Sequence, residues 1–346
     1  MAEVSGGGRL RSMVFIQFKH GYQHIISMEN LLEAWKEFVK GKKSRKDVLE
    51  FERNLIANII LLHKELLEKT YKHSPYEAFD ISDPKPRNIH KASVRDRLLH
   101  HAIYRTLYPF FDRTFIAQSY SCRFGKGTHK AIQQFRAYMY KASKNNTKTV
   151  WVLKCDIRKF FASIDHQILI KIIKEYIPDE NIIWLLSEII GSFYSTDKGV
   201  GLPLGNLTSQ LLVNVYMNKF DQFVKHNLKA KYYLRYADDF AVLSQDKKWL
   251  VETLQNMSGF LGNNLRLNLH PNKVSIRTLG SGNDFLGWMH FSDYRVLRTV
   301  TKKRMLKKIL ARGGREDTVQ SYLGLLKHGN TGILKNKVKD MVSLLS

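Results

Sequence analysis

The amino-acid sequence predicts an α+β fold in which many helices surround a few short strands. Apolar residues recur at helical spacing over much of the chain, as in residues 47–69, where Leu49, Leu55, Ile59, Leu62 and Leu66 keep a near-helical period. Strand-like runs are few; the clearest is 149–155, with Val150, Trp151, Val152 and Leu153 in succession. Prolines and glycines separate these pieces into distinct elements.

Residues 1–11 carry Gly6-Gly7-Gly8 and lack the apolar core of a signal peptide, so a disordered or loosely ordered leader is expected over 1–25. Residues 27–38 read as a helix capped by Ser27. The basic run 40–46 reads as a solvated loop, and 47–69 as one long amphipathic helix. Pro75, Pro84 and Pro86 break 71–90 into an extended or hairpin segment. Helices follow over 94–108 and 129–142, the second ending in a turn at Lys144-Asn145-Asn146. After the 149–155 strand comes Asp156, then a helix capped by Asp165, and helices over 184–193, 207–226 and 249–261. Residues 232–243 read as strand, tight turn, strand; 283–291 as a last strand pair; 302–346 as two or three basic helices.

The chain has 346 residues, 44% of them hydrophobic, which supports a substantial core and argues against global disorder. Lys and Arg number 56 against 31 Asp and Glu, and a net charge of +25 points to a polyanionic partner. Nucleic acid is the first candidate and an anionic membrane surface the second. Only Cys122 and Cys155 are present, too few for a disulfide framework or a Cys-rich zinc site, and a reducing cytoplasm fits. No apolar run reaches the length of a membrane span. His100-His101 sit mid-helix without matching cysteines and read as ordinary helix histidines.

The chemistry lies in three carboxylates. Asp156 ends a strand, and Asp238-Asp239 occupy the turn of a hydrophobic hairpin, between Tyr232, Tyr233, Leu234 and Tyr236 on one side and Phe240, Ala241, Val242 and Leu243 on the other. Aspartate is a common turn residue. Two adjacent like charges between apolar strands nevertheless repel unless a cation sits there. Nucleotidyl transfer uses two Mg²⁺ ions about 3.5–4 Å apart, held by one or two carboxylates plus phosphate oxygens and water.

Tyr236-Ala237-Asp238-Asp239 resembles the metal-binding hairpin of reverse transcriptases, and Lys154-Cys155-Asp156-Ile157-Arg158-Lys159-Phe160-Phe161 is similar to their first palm motif. The likeness runs from about Ile26 to Asn330. It implies a right-hand polymerase fold: N-terminal helices and fingers over 26–148, a palm of small antiparallel sheet and helices over 149–294 (with some finger elements), and a helical thumb over 295–346. It also implies two Mg²⁺ ions, with Mn²⁺ able to substitute, on Asp156, Asp238, Asp239 and the Ile157 carbonyl. Phe161 would exclude a 2′-hydroxyl and so select dNTPs. Arg87, Lys85 and Arg95 fall to the incoming triphosphate, a role that suits the guanidinium fork. Lys273, in Leu269-His270-Pro271-Asn272-Lys273, would protonate the leaving pyrophosphate, and Phe285-Leu286-Gly287-Trp288 resembles the primer-grip hairpin.

The loop Gly201-Leu202-Pro203-Leu204-Gly205-Asn206-Leu207-Thr208-Ser209-Gln210 points to a subclass. Group II intron enzymes carry Gln where Leu204 stands and Pro where Gln210 stands. The departure resembles the reverse transcriptases of diversity-generating retroelements, which copy a template RNA into cDNA with errors at adenines. Leu204, Gly205 and Gln210 are thus expected at the nascent base pair. This resemblance implies a template RNA, an RNA–cDNA duplex, dNTPs and a small basic accessory protein as partners, no membrane, and the cytoplasm of a bacterium, archaeon or phage host. The alternatives are a group II intron-like, retron or defence-associated reverse transcriptase of ordinary fidelity, an RNA-dependent RNA polymerase, and an inactive RNA-binding module. Phe161 argues against the second and the intact carboxylates against the third.

Overall fold

The computed structural model describes residues 16–81 and 86–345. Lys85 and the first fifteen residues of the expected leader lie outside them. In chain order the elements are α1 (Tyr22–Ile26), α2 (Met28–Phe38), α3 (Lys46–Arg53), α4 (Leu55–Leu67), β1 (Glu77–Ile81), β2 (Arg87–Lys91), α5 (Val94–Thr114) and α6 (Thr128–Ala142). There follow β3 (Trp151–Asp156), α7 (His166–Lys174), α8 (Glu180–Gly191), α9 (Leu207–Gln222), β4 (Tyr232–Tyr236), β5 (Asp239–Ser244) and α10 (Lys247–Leu265). The last are β6 (Ser275–Thr278), β7 (Asn283–Phe285), β8 (Trp288–His290), β9 (Arg295–Leu297), α11 (Thr299–Ala311), α12 (Glu316–Leu326) and α13 (Gly332–Ser343). The α+β expectation holds, with small antiparallel sheets.

The chain forms two compact units and passes between them more than once. The first comprises residues up to Thr114 together with Phe161–Met217; the second comprises Phe115–Phe160 and Asn218–Ser346.

In the first unit, side chains cap the helices as the sequence implies. Ser27 Oγ accepts from the Asn30 amide at 3.2 Å, Asp165 from Ile168 at 2.9 Å, and Asp179 from Asn181 at 2.8 Å. Part of the expected leader is ordered: Tyr22 and Ile25 are buried, and the Tyr22 hydroxyl donates to the Leu66 carbonyl at 2.7 Å. The long helix expected over 47–69 is two helices, because Asn54 leaves helical geometry at φ −119°, ψ 35°. Conversely, α5 runs through Pro109 to Thr114. Leu107 and Phe111 are buried on either side of that proline, and their packing offsets the hydrogen bond it removes. The proline-rich segment is a hairpin, β1–β2, with Glu77 opposite Lys91. His100 is buried within α5 and His101 half-buried.

The second unit is built on a four-stranded antiparallel sheet in the order β4-β5-β3-β6. Register is fixed by pairing Trp151 with Ser244 and Asp156 with Asp239 on one side of β3, and Lys154 with Ser275 on the other. Val152, Leu234, Ala241 and Leu243 share one face and pack with Ala131, Phe135, Tyr138 and Met139 of α6. A second sheet, β7-β8-β9, adds a strand to the pair expected over 283–291. Trp288 and Leu297 from it join Met305, Ile309, Leu326 and Val338 of the three C-terminal helices in a separate cluster.

Candidate active site

Asp156, Asp238, Asp239 and Lys273 come together in the second unit. Asp156 ends β3 directly opposite Asp239, the first residue of β5. Like charges in such a cross-strand pair oppose one another. Between Tyr236 and Asp239 the chain turns through Ala237 and Asp238, and Ala237 is held at φ +55°, a left-handed geometry unfavourable for a residue with a Cβ.

Several bonds keep this turn in place. The Ile157 amide donates to the Asp238 carbonyl at 3.1 Å, joining the end of β3 to the hairpin. Arg235 Nη1 donates to the Ala237 carbonyl at 3.0 Å. Arg235 is itself buried, with Nε 2.8 Å from Asp221 Oδ1 and Nη2 2.7 Å from Asp221 Oδ2, a two-pronged pair that the Tyr233 hydroxyl extends at 2.6 Å. Sequence reasoning missed this brace, because Asp221 lies in a helix and Arg235 in a strand with no motif linking them.

The loop carrying Lys273 is sewn to the same strand end. The His270 amide donates to the Asp156 carbonyl at 2.7 Å, and Arg158 to the Asn268 carbonyl at 2.9 Å. Lys273 Nζ then meets Asp156 Oδ1 at 2.8 Å. A second lysine, also unanticipated, lies on β3: Lys154 Nζ is 3.5 Å from Asp239 Oδ2. Two-residue periodicity places Lys154 on the same strand face as Asp156.

The electrostatics are those of a cation-seeking site. Burial pushes the Asp239 carboxyl up to about 7; Lys154 opposes the rise, while Asp238, Asp156 and Asp284 add to it. Asp239 Oδ1 is buried without a hydrogen-bond partner. Burial likewise pushes the Cys155 thiol up to about 12, with Asp239 and Asp156 adding to the rise against Lys154, so Cys155 is an inert core residue beside the site. Among the described residues no three His, Cys, Asp or Glu side chains form a preassembled metal cage. Mg²⁺ does not need one, since it binds through one or two carboxylates with water and phosphate completing its octahedron. The all-oxygen donors and the orphaned Asp239 oxygen fit that ion.

The residues expected at the nucleotide fall in the first unit, except Lys85, which lies outside the described residues. Arg87 opens β2 and is exposed. Arg95 is occupied by Glu65 at 2.8 Å and by the Lys72 carbonyl at 2.5 Å. The Phe161 carbonyl accepts from Leu202 at 2.8 Å, and the Leu204 carbonyl from the His90 amide of β2 at 3.1 Å. Asn206 Nδ2 returns a bond to the His90 carbonyl at 3.2 Å, so the glycine-bearing loop is fastened to the β1–β2 hairpin. At Gly205, φ is +106° and a Cβ would lie 3.0 Å from Ile89 Cγ2, which explains the glycine. Gly205 and Gln210 line a cavity of about 450 Å³ with Lys42, Arg45, Lys91 and Arg97. Two members of the basic run 40–46, Lys42 and the exposed Arg45, therefore also line a cavity.

Residues 72–324 match a protein family described as reverse transcriptase (RNA-dependent DNA polymerase). The chain is 26% identical to the protein YkfC of Escherichia coli, over 73% of this chain and 78% of that one. It is 23% identical to the group II intron-encoded protein LtrA of Lactococcus lactis, over 83% of this chain and 58% of LtrA. It is 28% identical to the putative COX1/OXI3 intron 1 protein of Saccharomyces cerevisiae, over 49% of this chain but 21% of that longer protein. The class is thus that of enzymes that polymerise DNA on RNA. The chain belongs to the reverse transcriptase family, with group II intron-encoded proteins among its relatives.

Proposed function

We propose that this reverse transcriptase copies a template RNA into cDNA by two-metal nucleotidyl transfer at Asp156, Asp238 and Asp239. The direct opposition of Asp156 and Asp239, with Asp238 in the intervening turn, is the observation that carries the reading. Two divalent ions bound there, with the Ile157 carbonyl as a further ligand, would activate the primer 3′-hydroxyl and neutralise the pyrophosphate. The chain's own groups do the rest. Arg235 and Ile157 hold the turn, Lys154 positions Asp239, and Lys273 supplies a proton to the departing pyrophosphate. Lys85, Arg87 and Arg95 serve the incoming triphosphate, and Phe161 selects dNTPs over rNTPs. Template RNA, the RNA–cDNA duplex and dNTPs are the substrates, and the +25 charge makes nucleic-acid binding steeply salt-dependent.

The finer reading is an error-prone enzyme of a diversity-generating retroelement, working with a small basic accessory protein. Leu204 and Gln210 support it: an apolar side chain at position 204 would relax geometric selection of the nascent pair. A second reading, an intron-type enzyme of ordinary fidelity, is favoured by the likeness to LtrA. Misincorporation opposite template adenines separates the two. Wild type is expected to misincorporate there, and Leu204→Gln to lower the error rate. Faithful copying by both proteins would favour the intron-type reading. Extension with rNTPs as efficient as with dNTPs would contradict DNA synthesis, and Phe161→Ala is expected to admit rNTPs.

A further inference from the structure

A second cation-rich cavity lies in the second unit, lined by residues that contribute nothing to the carboxylate site. It measures about 250 Å³ and lies among α6, the β8–β9 turn and the α12–α13 turn. Arg136, Arg295, Lys327 and His328 line it from these three segments. One carboxylate, Asp293, also lines it, and accepts from Asn146 Nδ2 at 2.7 Å. Among the described residues the lining therefore brings three fixed cations and two histidines, His290 and His328, against one carboxylate.

Arg295 is the most constrained of the set. Its guanidinium lies over the Trp288 ring at 5.5 Å, and Nε donates to the His328 carbonyl. Nη1 is buried with no hydrogen-bond partner. An unpaired donor on a fixed cation carries a desolvation cost that an anion would remove. Burial, then Arg136, pushes the Arg295 guanidinium down; burial, His129 and Arg295 push His328 down. The cations of this cavity thus repel one another in the absence of a counter-ion. At about 250 Å³ the cavity is smaller than the range of about 300–1,000 Å³ typical of drug-sized ligands.

We propose that this cavity is a phosphate-binding site, taking one phosphate group through Arg136, Arg295 and Lys327. The phosphate comes either from the backbone of a single RNA strand or from a free phosphate or nucleotide.

Two binding arms test it, neither requiring turnover. In the first, the intact protein is titrated with a single-stranded RNA oligonucleotide at several salt concentrations, followed by fluorescence anisotropy. In the second, its melting temperature is followed with inorganic phosphate against chloride of equal ionic strength. Arg136→Gln combined with Lys327→Gln is the test variant. Both side chains are exposed, so the fold should survive. Lys64→Gln combined with Lys174→Gln makes the same charge change elsewhere.

RNA affinity reduced on the order of tenfold, with the log–log salt slope lower by about one, assigns the site to RNA backbone. A phosphate-dependent melting shift lost only in the test variant assigns it to free phosphate. Asp293→Asn should move the responsive arm in the opposite direction. The proposal is overturned if the test variant keeps wild-type behaviour in both arms, or if the control variant changes equally. Failure here leaves the polymerase reading standing, since that reading is tested by DNA synthesis at the carboxylates.

Discussion

Replacing Asp221 by Ala separates what the buried ion pair does for stability from what it does for the active site. Asp221 and Arg235 are 0% and 1% exposed, respectively. The substitution removes two charge-assisted bonds from Arg235 and one from Tyr233, and takes the Asp221 charge away from a guanidinium in the core. Breaking such a pair costs about 3–5 kcal/mol, against a total stability of about 5–15 kcal/mol for a folded domain. Urea unfolding followed by circular dichroism should show that loss as a lowered midpoint. The triple variant Asp221→Leu, Tyr233→Phe, Arg235→Met removes the charges together and should recover most of the stability, as apolar replacements of buried pairs do. It should not recover activity. Without Arg235 Nη1 on its carbonyl, Ala237 leaves its left-handed geometry, which costs about 1–2 kcal/mol to hold. A loss of that size corresponds to a fall in turnover of about tenfold. A cost below about 1 kcal/mol for Asp221→Ala, or full turnover in the triple variant, would refute the role assigned to the brace.

Three further outcomes follow from the same geometry. Asp239 has a raised carboxyl, so the folded metal-free protein holds a proton that the unfolded chain has lost, and its stability falls as pH rises from about 4 to about 7. Asp239→Asn should therefore stabilise the metal-free protein above pH 7 and change little near pH 4, by thermal melts across that range; a constant difference would contradict the carboxyl assignment. His100 is buried with neither ring nitrogen partnered, and burial pushes it down to about 3. Its unfolded form charges near pH 6.5, so stability present above that value is lost as the solution is acidified, by about 2 kcal/mol at pH 5. His101 and His290 are pushed down as well, so His100→Leu should make the acid limb shallower by its own share, and an unchanged limb would mean that His100 contributes nothing to it. Lys273→Gln should lower kcat on the order of a hundredfold while the dNTP KM changes little, in single-turnover extension; wild-type kcat would remove Lys273 from proton transfer.

Much of the carboxylate site was legible because it rests on local rules. A buried apolar run ending at Asp156 and a two-residue turn bearing Asp238 need only strand periodicity to be placed at the end of a sheet. Lys273 was reachable through its motif, and the fold brings it to Asp156. The residues around them were not legible. Lys154 looked like an ordinary strand residue until the register placed it opposite Ala241, two positions from Asp239. The Asp221–Arg235 pair depends on α9 and β4 meeting, which no local period encodes. The break at Asn54 was hidden because the apolar spacing continues through it. The helix expected over 94–108 ends short of Pro109, whereas α5 continues through it because flanking burial outweighs the lost hydrogen bond. β6 went unread because it is only four residues long, Ser275–Thr278, with one apolar side chain among them.

The central claim, that Asp156, Asp238 and Asp239 together form the polymerising centre, is tested most directly by primer extension. The assay uses an RNA template, four dNTPs and a Mg²⁺ titration, and compares wild type with Asp238→Asn combined with Asp239→Asn. The account predicts Mg²⁺-dependent cDNA from wild type, and no product from a double variant that melts as a folded protein and still binds RNA. Extension by that folded variant at the wild-type rate would contradict it.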